Sequence, residues 1–303
     1  MTMRGYYIDL GFKDVRRGLY DAFDFDENGI PKYCYSFGHF YNITFICHYA
    51  LYHYTLFLKF KRMNNLDIFM HVSDWIIKNG EETSDCFVFP YSFPWNGMSP
   101  PWISALGQGR ILSVLTRAYE FSGDKHYLNI ARKAMNPFAT NIADGGVQTK
   151  FPDGELAFAE YPYYNRKPNI VLNGFITSLV GLYDLAEIGE EHRAADLFYK
   201  GLYGLESNLH RYDLGYWSAY DLFGLIPNVA SDEYHLYHIM QLWALFEMTG
   251  RDFLKSYARR WYAYRKGLRL FFLRSLSKGY RKLHRIISRT ITNLNNELYA
   301  SHL

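Results

Sequence analysis

The sequence predicts a fold dominated by α-helices: an α/α toroid, in the form of an incomplete α/α barrel of about four helix hairpins. Long apolar stretches are each followed by a short turn and a second helical stretch. These pairs recur about every 60 residues, which is typical of a repeat array. The connections between pairs are long and rich in aromatic residues, Gly and Pro. We expect each to form a short β-hairpin at one end of the toroid, where inserted elements build a binding face.

A β-rich N-terminal segment is predicted over residues 1–40. It contains a short predicted strand at 6–10, and Asn28-Gly29 indicates a tight turn. The acidic residues beside this turn lack the spacing of a calcium loop. A plain turn is therefore favoured over a calcium site.

The toroid domain is predicted to span residues 41–264. Its helix pairs are predicted at 41–63 with 66–78, 102–121 with 124–135, 170–187 with 190–208, and 234–248 with 251–264. Glycine favours the left-handed conformation that ends many helices. The turns within the pairs are accordingly expected at Asn64-Asn65, Ser122-Gly123, Ile188-Gly189 and Thr249-Gly250. Short strands are predicted between the pairs at 86–89, 147–151, 156–161 and 216–220.

The net charge of +3 hides an uneven distribution. Residues 253–303 hold 12 Lys and Arg against one acid, a charge of +11, whereas the rest of the chain carries −8. Within this stretch, 265–303 is predicted to form a basic amphipathic helix. This helix could contact an anionic membrane surface or a polyanion. It could equally dock on the acidic body with its charges in solvent.

Composition and motifs exclude several classes of protein. No uncharged apolar run reaches the roughly 18 residues of a spanning helix, and residues 1–6 lack the apolar core of a signal peptide. Cys34, Cys47 and Cys86 form no CxxC motif and fit free thiols in a reducing cytosol. No nucleotide or nucleic-acid recognition motif accompanies the basic residues. We expect a cytoplasmic protein without a nucleic-acid partner, located at the inner face of the membrane if the basic helix binds lipid.

Candidate acid–base residues lie in or just after the long connections. Glu160-Tyr161-Pro162 precedes a long apolar helix, and Tyr220 and Tyr234 lie in and after the next connection. A carboxylate can take a proton, and a phenol can give one if neighbouring cations or hydrogen bonds lower its pKa from about 10. Such a pair could move a proton from one face of a carbon beside a carboxylate to the other without a cofactor. The alternative interpretation is that Glu160 merely ends an ordinary strand. Most of the 28 tyrosines can be explained as half-buried packing between helices, but a concave surface rich in tyrosine also suits a sugar, which presents both C–H faces and hydroxyls.

Several runs of residues carry a resemblance to one enzyme family. The runs are Pro100-Pro101-Trp102-Ile103-Ser104-Ala105-Leu106-Gly107-Gln108-Gly109, Glu160-Tyr161-Pro162, Val171-Leu172-Asn173-Gly174-Phe175, Gly181-Leu182-Tyr183-Asp184-Leu185, Tyr220-Asp221-Leu222, Ile226-Pro227-Asn228, and Tyr234-His235 with His238. Together they resemble the C-terminal catalytic domain of the D-glucuronyl C5-epimerases, whose animal members convert glucuronate to iduronate in heparan sulfate precursors. The likeness is dense over 86–262 and weaker over 1–85. The family's fold is an α/α toroid.

The resemblance implies roles for individual residues. Glu160 and Tyr234 would transfer protons on opposite faces of the sugar ring. Tyr161 and Tyr220 would line the same site. The candidate substrate-binding positions within these runs are Trp102, Gln108, Asn173, Asn228 and His235. The resemblance also implies a uronate-containing, heparosan-like glycan as substrate, no cofactor and, by analogy alone, a homodimer.

Two departures from the animal pattern affect how the substrate would be held. The animal enzymes carry an Arg where this chain has Phe223, so another cation would have to neutralise the uronate carboxylate. Arg166 and Lys167 are candidates, and so is Arg110, which stands where the animal enzymes have Gln. Only about 40 residues replace the β-rich N-terminal region of the animal enzymes. We therefore expect a more open groove.

Alternative assignments stay open at this level. Asp153 and Glu155 could join Glu160 as the paired carboxylates of a glycosidase. His235 and His238, at i and i+3, could ligate a metal, but no third ligand is evident and no metal site is expected. The alternative functions are a uronate lyase or hydrolase on the same toroid, or a non-catalytic protein that binds acidic glycans.

Overall fold

A computed structural model of the chain describes residues 3–8, 10, 23–163, 169–222, 224 and 227–266. The predictions for Arg166, Lys167 and Phe223 lie outside the described residues. The same is true of the predicted basic helix at 265–303, apart from its first two residues.

Four helix pairs make up most of the described chain, as predicted. The helices are α1 (Ile43–Phe60), α2 (Met63–Asn79), α3 (Ala105–Ser122), α4 (Lys125–Ala139), α5 (Leu172–Glu187), α6 (His192–Asn208), α7 (Asp232–Thr249) and α8 (Asp252–Tyr264). Two short 3₁₀ turns follow α4 and α6, at Ile142–Asp144 and Leu209–Tyr212.

The first helix of each pair lies inside the ring and the second lies outside. α1 packs on α3, α3 on α5 and α5 on α7, while each outer helix packs on its own inner partner. The two middle inner helices are buried on nearly every side, with 13 buried residues each in α3 and α5, whereas α1 and α7 bury eight of their 18 residues. A helix that is apolar all round belongs in the middle of a fold. This arrangement is the predicted α/α toroid.

Two glycines set the distance between α3 and α5. A Cβ on Gly109 would lie 2.7 Å from Ser178 Cα, and one on Gly181 would lie 2.1 Å from the Gly109 carbonyl oxygen. Backbone cannot move aside as a flexible side chain can, so any larger residue would push the two helices apart. Both glycines belong to the sequence runs described above.

The turns inside the pairs differ in part from the prediction. Gly123 and Gly250 are left-handed as expected, with φ of 72° and 67°. The first turn is wrong, because Asn64 and Asn65 already belong to α2 and Lys61 takes the left-handed conformation at φ 56°. In the third pair the left-handed residue is Glu190 (φ 50°) instead of Gly189. A single left-handed residue costs little enough that packing of the two helices can impose it on Lys or Glu.

A short antiparallel hairpin or sheet precedes each inner helix. The strands are β1 (Phe23–Phe25), β2 (Pro31–Tyr35), β3 (Gly38–Phe40), β4 (Glu81–Glu82), β5 (Phe87–Val88), β6 (Gln148–Lys150), β7 (Leu156–Phe158), β8 (Ala219–Asp221) and β9 (Asn228–Val229). They form a β1-β2-β3 sheet and three two-stranded hairpins. The repeating unit is therefore hairpin, inner helix, outer helix.

The predicted strand at 6–10 is wrong for the residues that the structure describes, since 6–8 and Leu10 are not in a strand. Tyr6 and Ile8 are instead buried in the core of the toroid. The backbone is held there by Arg117, which donates to the Gly5 carbonyl oxygen at 3.2 Å and lies over the ring of Tyr6. Tyr6, Ile8 and Leu10 are apolar because they belong to this core, not because they form a strand.

One large core extends through most of the described chain, and Trp217, Val229 and Ala230 form a separate small cluster. The large core joins Tyr6 and Ile30 of the N-terminal part to buried residues of the inner and outer helices as far as Trp261. Within it, Arg117 of α3 and Asp184 of α5 form a fully buried bidentate ion pair at 2.5 and 3.0 Å. None of the described helices combines the length and apolar composition required to cross a bilayer.

Candidate active site

A cavity of about 480 Å³ lies where the four inner helices begin. Each inner helix contributes a residue from its cap or first turn: Asn42 for α1, Ser104 for α3, Asn173 for α5 and Tyr234 for α7. Helix capping explains the position of one of these residues, Asn42. Asn42 accepts from the Thr44 N–H at 3.0 Å and its amide donates to the Tyr35 hydroxyl at 2.7 Å. The cap of α1 thus also ties the β2–β3 hairpin to the helix.

Glu160 lies in the wall of this cavity and is 5% exposed. It follows β7 by two residues, just before the connection to α5. A Cβ on Gly174, in the first turn of α5, would lie 2.2 Å from Glu160 Oε2. The carboxyl therefore occupies space that only glycine leaves, which explains the local pattern Asn173-Gly174.

Three tyrosines surround this carboxyl. Tyr161 and Tyr234 line the cavity, and the ring of Tyr220 packs edge-on against Tyr234 with centroids 4.8 Å apart. Tyr220 is not among the described lining residues; it stands behind Tyr234. The charge of Glu160 acts on all three phenols, and the three phenols act on one another.

The environment keeps these phenols protonated at neutral pH. Burial, followed by the charge of Glu160, raises the pKa of Tyr234 to about 12, although the hydrogen bond from Tyr220 works in the opposite direction. Burial and Glu160 also raise the pKa of Tyr161 and Tyr220 well above the usual range. The lowered phenol pKa expected from the sequence is therefore wrong: burial and the Glu160 carboxylate raise it, so each phenol keeps its proton at neutral pH and is a weaker acid than a free phenol.

Arg110 is the buried cation of the cavity, with 2% exposure. It lies on α3 and donates to the Tyr237 hydroxyl of α7 at 3.2 Å and to His48 Nδ1 of α1 at 3.4 Å. Its Nε has no hydrogen-bond partner among the described residues. The guanidinium therefore joins three inner helices.

Two further candidate residues lie in the cavity wall. Trp102 stacks on Tyr91 with centroids 4.0 Å apart and donates its Nε1–H to the Phe93 carbonyl at 2.8 Å, so its ring presents a fixed apolar surface. Asn173 is 4% exposed, and its Oδ1 lacks a partner among the described residues. An oxygen in this position can accept from a ligand hydroxyl.

The structure places three of the candidate binding residues away from the cavity. Gln108 holds backbone groups of Phe89, Phe87 and Ala134 with its side-chain amide. Asn228 donates to Asp221 Oδ2 at 2.8 Å inside the β8–β9 hairpin. Both side chains hold parts of the framework around the site.

His235 is the third residue outside the cavity. Its ring is fully buried, stacks on Trp217 at 3.6 Å and bonds to Ser218 and the Trp261 carbonyl oxygen. His238 bonds to the same Ser218 hydroxyl at 3.0 Å. Among the described residues no group of three metal-ligating side chains comes together, here or elsewhere.

The carboxylates considered for a glycosidase do not meet. Asp153 pairs with Arg211, and Glu155 accepts from Asn208 at 3.3 Å. Both line a second, more open cavity of about 690 Å³ beside α6. Of the described residues that line the Glu160 cavity, Glu160 is the only carboxylate. A paired-carboxylate site at Glu160, Asp153 and Glu155 is therefore wrong.

Sequence reasoning missed two parts of the site. His48 and Tyr237 are each the sixth residue of an inner helix, as Arg110 is; polar residues at one shared position in apolar helices are the signal that could have revealed them. The other part is the β2–β3 hairpin, whose residues Tyr33 to Phe37 form one wall of the cavity. The short N-terminal segment thus supplies one wall of the cavity.

Comparison with known proteins shows the family to which the chain belongs. Residues 83–263 match the family model described as the D-glucuronyl C5-epimerase C-terminus. The chain is 32% identical over 233 residues to the D-glucuronyl C5-epimerase of Caenorhabditis elegans, covering 69% of this chain and 36% of that protein. It is also 33% identical over 174 residues to an uncharacterised protein of Methanocaldococcus jannaschii, covering 57% of this chain and 56% of the relative. The chain thus spans roughly a third to a half of the length of these relatives.

Solved structures share the fold. A cellobiose 2-epimerase from Bacillus thermoamylovorans superposes with a TM-score of 0.57 at 11% identity, covering 86% of this chain and 73% of the other. A family 76 glycoside hydrolase (mannosidase) from Bacteroides thetaiotaomicron gives 0.52 at 13% identity, covering 83% and 69%. At these identities the likeness concerns the fold alone. Because the family model covers more than half of it, the chain belongs to the family defined by the C-terminal region of the D-glucuronyl C5-epimerases.

Proposed function

We propose that this chain is a carbohydrate epimerase that inverts C5 of glucuronate residues in a glycan, giving iduronate. The observation that carries the proposal is the meeting of Glu160 and Tyr234 in one cavity, contributed by different repeats of the toroid. Membership of the family supports the same reaction. The relative whose name states this activity is a longer protein, so the activity of this chain is a proposal.

Each group has a distinct task in the proposed reaction. Glu160, as a carboxylate, takes the proton from C5, and the electron pair of that C–H bond moves into the substrate carboxylate. Tyr234 then gives its phenolic proton to the opposite face of C5. A carboxylate base and a phenol acid suit these tasks, because the raised pKa of Tyr234 leaves it protonated at neutral pH.

Tyr161 and Tyr220 act as positioning residues in this mechanism. After one turnover Glu160 holds a proton and Tyr234 lacks one. In this proposal the proton returns from Glu160 to Tyr234 by way of Tyr161 and Tyr220, each of which interacts with its neighbours in this order. Tyr220, behind Tyr234, also fixes the direction of its ring.

A uronate lyase is the second candidate, because elimination begins with the same proton abstraction. It would differ by expelling the group at C4 and forming an unsaturated sugar. A two-carboxylate hydrolase is disfavoured by the single carboxylate among the described lining residues.

The test follows hydrogen exchange at C5. The protein is incubated with heparosan oligosaccharides in D₂O, and C5 signals and iduronate are followed by NMR, with absorbance recording any unsaturated product. We expect deuterium at C5 together with iduronate. Glu160→Gln and Tyr234→Phe should each reduce the exchange at least about 100-fold. The same changes at exposed positions, Glu81→Gln and Tyr203→Phe, should have no effect.

Other results would reject the proposal in a defined way. Unsaturated product without iduronate would establish the lyase. Full exchange in both Glu160→Gln and Tyr234→Phe would remove these residues from the mechanism.

A further inference from the structure

Helix α3 has two buried arginines, and only one of them is paired with a carboxylate of the described residues. Arg117 is fully buried and meets the carboxylate of Asp184 through two hydrogen bonds. Arg110, two turns earlier on the same helix, is 2% exposed. No carboxylate of the described residues forms an ion pair with it. The two arginines therefore provide an internal comparison of a paired and an unpaired buried cation.

No carboxylate is among the hydrogen-bond partners of Arg110. These partners are the Tyr237 hydroxyl and His48 Nδ1. Because arginine only donates, His48 Nδ1 must accept, which excludes a proton on that nitrogen. Tyr6, Cys47 and Tyr91 also act on Arg110, and burial raises the pKa of all three, so they stay uncharged. Glu160 is the only carboxylate among the described residues that line the same cavity.

A buried guanidinium without a counter-charge is costly. Removing one partner of a buried ion pair is strongly destabilising, because the remaining charge is left uncompensated. Arg110 cannot relieve this cost by losing its proton. Since it lines the cavity, a negatively charged ligand can supply the missing charge.

The partial charges of the surrounding backbone also favour a negatively charged ligand. The N-terminal caps or first turns of α1, α3, α5 and α7 all contribute to the cavity wall. The N-terminus of a helix carries a partial positive charge and favours anions. Four such ends converge on the space in front of Arg110.

We propose that Arg110 binds the carboxylate of the substrate sugar. It takes the role of the arginine that the animal enzymes carry at the position of Phe223. The identity of the sugar as a uronate rests on the proposed function. A planar carboxylate matches the fork of a guanidinium. When C5 loses its proton, the electron pair moves into this carboxylate and its negative charge increases. Arg110 stabilises that charge. Asn173 Oδ1, which has no partner among the described residues, accepts a hydrogen bond from a ring hydroxyl of the same sugar.

The experiment compares two ligands that differ only in the charged group: methyl β-D-glucuronide and methyl β-D-glucoside. Their affinities for the full chain are measured by calorimetry, together with C5 exchange of the glucuronide in D₂O. The wild-type protein should bind the glucuronide at least about tenfold more tightly. Arg110→Gln, which installs the residue of the animal enzymes, should abolish that preference. Arg259→Gln, at an exposed position on α8, is the matched control and should preserve it.

Thermal unfolding distinguishes a ligand-binding role from a structural one. Without ligand, Arg110→Gln should unfold at the same temperature as the wild type or higher, since it removes an uncompensated charge. The glucuronide should raise the unfolding temperature of the wild type but not of Arg110→Gln. A variant that unfolds at lower temperature yet keeps the preference for the glucuronide would overturn the proposal.

The outcome does not depend on whether the epimerase reaction occurs. A preference for the glucuronide that requires Arg110, without any C5 exchange, would support the anion site and reject the proposed reaction. Exchange that continues unchanged in Arg110→Gln would support the reaction and reject the anion site.

Discussion

At the scale of single residues, the position of Glu160 depends on the absence of a side chain at Gly174. The first turn of α5 passes so close to the carboxyl that no Cβ fits between them. The same turn supplies Asn173 to the cavity. One glycine therefore lets an inner helix and the end of a hairpin share the space in which the proposed chemistry takes place.

Replacing Gly174 with Ala should move the Glu160 carboxyl without removing it. A displacement of about 1 Å in an active site can cost about 100-fold in rate, so we expect C5 exchange to fall by about that factor. Alanine is favoured over glycine in a helix by about 1 kcal/mol, which offsets part of the clash, so loss of activity should exceed loss of stability. Rates of exchange and urea unfolding curves measure the two effects.

Gly5→Ala is the control for this change, since its Cβ would meet only Leu58 Cδ1 at 3.8 Å. Wild-type exchange in Gly174→Ala would show that the carboxyl tolerates the displacement and that Gly174 has no positioning role.

At the scale of elements, the β2–β3 hairpin turns the end of the toroid into a cavity. Its rings form a cluster in which Tyr35 and Phe37 stack at 5.0 Å and Tyr35 contacts Trp95. Phe37 at the tip is 49% exposed, and both it and Trp95 line the cavity. Exposed rings at the rim are suited to the C–H face of a sugar beside the one that reacts.

Removing the ring of Phe37 should therefore affect long substrates more than short ones. We expect Phe37→Ser to weaken binding of a heparosan oligosaccharide by about 5- to 10-fold, as stacking contacts are worth about 1 kcal/mol. Affinity for methyl β-D-glucuronide should stay within about twofold. Calorimetry with both ligands measures the difference.

Phe25→Ser is the matched control, because Phe25 is 41% exposed on the same sheet and does not line the cavity. Equal weakening for both ligands in Phe37→Ser would mean that the hairpin contacts the reacting sugar itself.

At the scale of the whole molecule, polar groups are sealed into the large core. The Arg117–Asp184 pair joins α3 to α5 and holds the N-terminal residues through the Gly5 carbonyl. Several tyrosines are buried with it, and burial is the main cause that raises their pKa, as for Tyr6 and Tyr91. The folded state therefore binds the phenolic proton more tightly than the unfolded chain does.

This difference predicts a loss of stability in alkali. The unfolded phenol has a pKa of about 10, whereas the folded values are raised, to about 12 for Tyr35 and Tyr234. The stabilisation is complete below pH 10 and is lost as the pH rises from about 10 towards 12 and beyond. The free energy of unfolding, measured with urea at pH 8 and pH 11, should fall by at least about 1.4 kcal/mol, the value of a tenfold change in proton affinity.

Tyr6→Phe tests the cause, because the Tyr6 hydroxyl has no hydrogen-bond partner among the described residues and its loss removes only the titrating group. The fall between pH 8 and pH 11 should be smaller in Tyr6→Phe and unchanged in Tyr203→Phe, whose ring is 64% exposed. The same fall in all three proteins would exclude buried Tyr6 as a source of the effect.

Much of the architecture was readable from sequence, because helix pairs have a local signal. Apolar periodicity and the capping residues at helix ends depend on neighbours within a turn or two, so the four pairs were predicted within a few residues. Asn64-Asn65 failed as a turn since helix packing, a non-local effect, put the left-handed residue at Lys61. The strand at 6–10 failed for the same reason, as its alternating residues insert into a core built from distant helices.

The sequence by itself determined the fold class, the family and the proton-transfer candidates Glu160 and Tyr234, because these rest on periodicity and on short contiguous runs. Only the tertiary structure decided which candidates share a cavity. It placed Tyr220 behind Tyr234, left Gln108, Asn228 and His235 in the framework, and brought His48, Arg110 and Tyr237 together from three helices. Whether a buried charge has a partner depends on side chains that are far apart in the chain, so the contrast between Arg110 and Arg117 is invisible until the ring of helices closes around them.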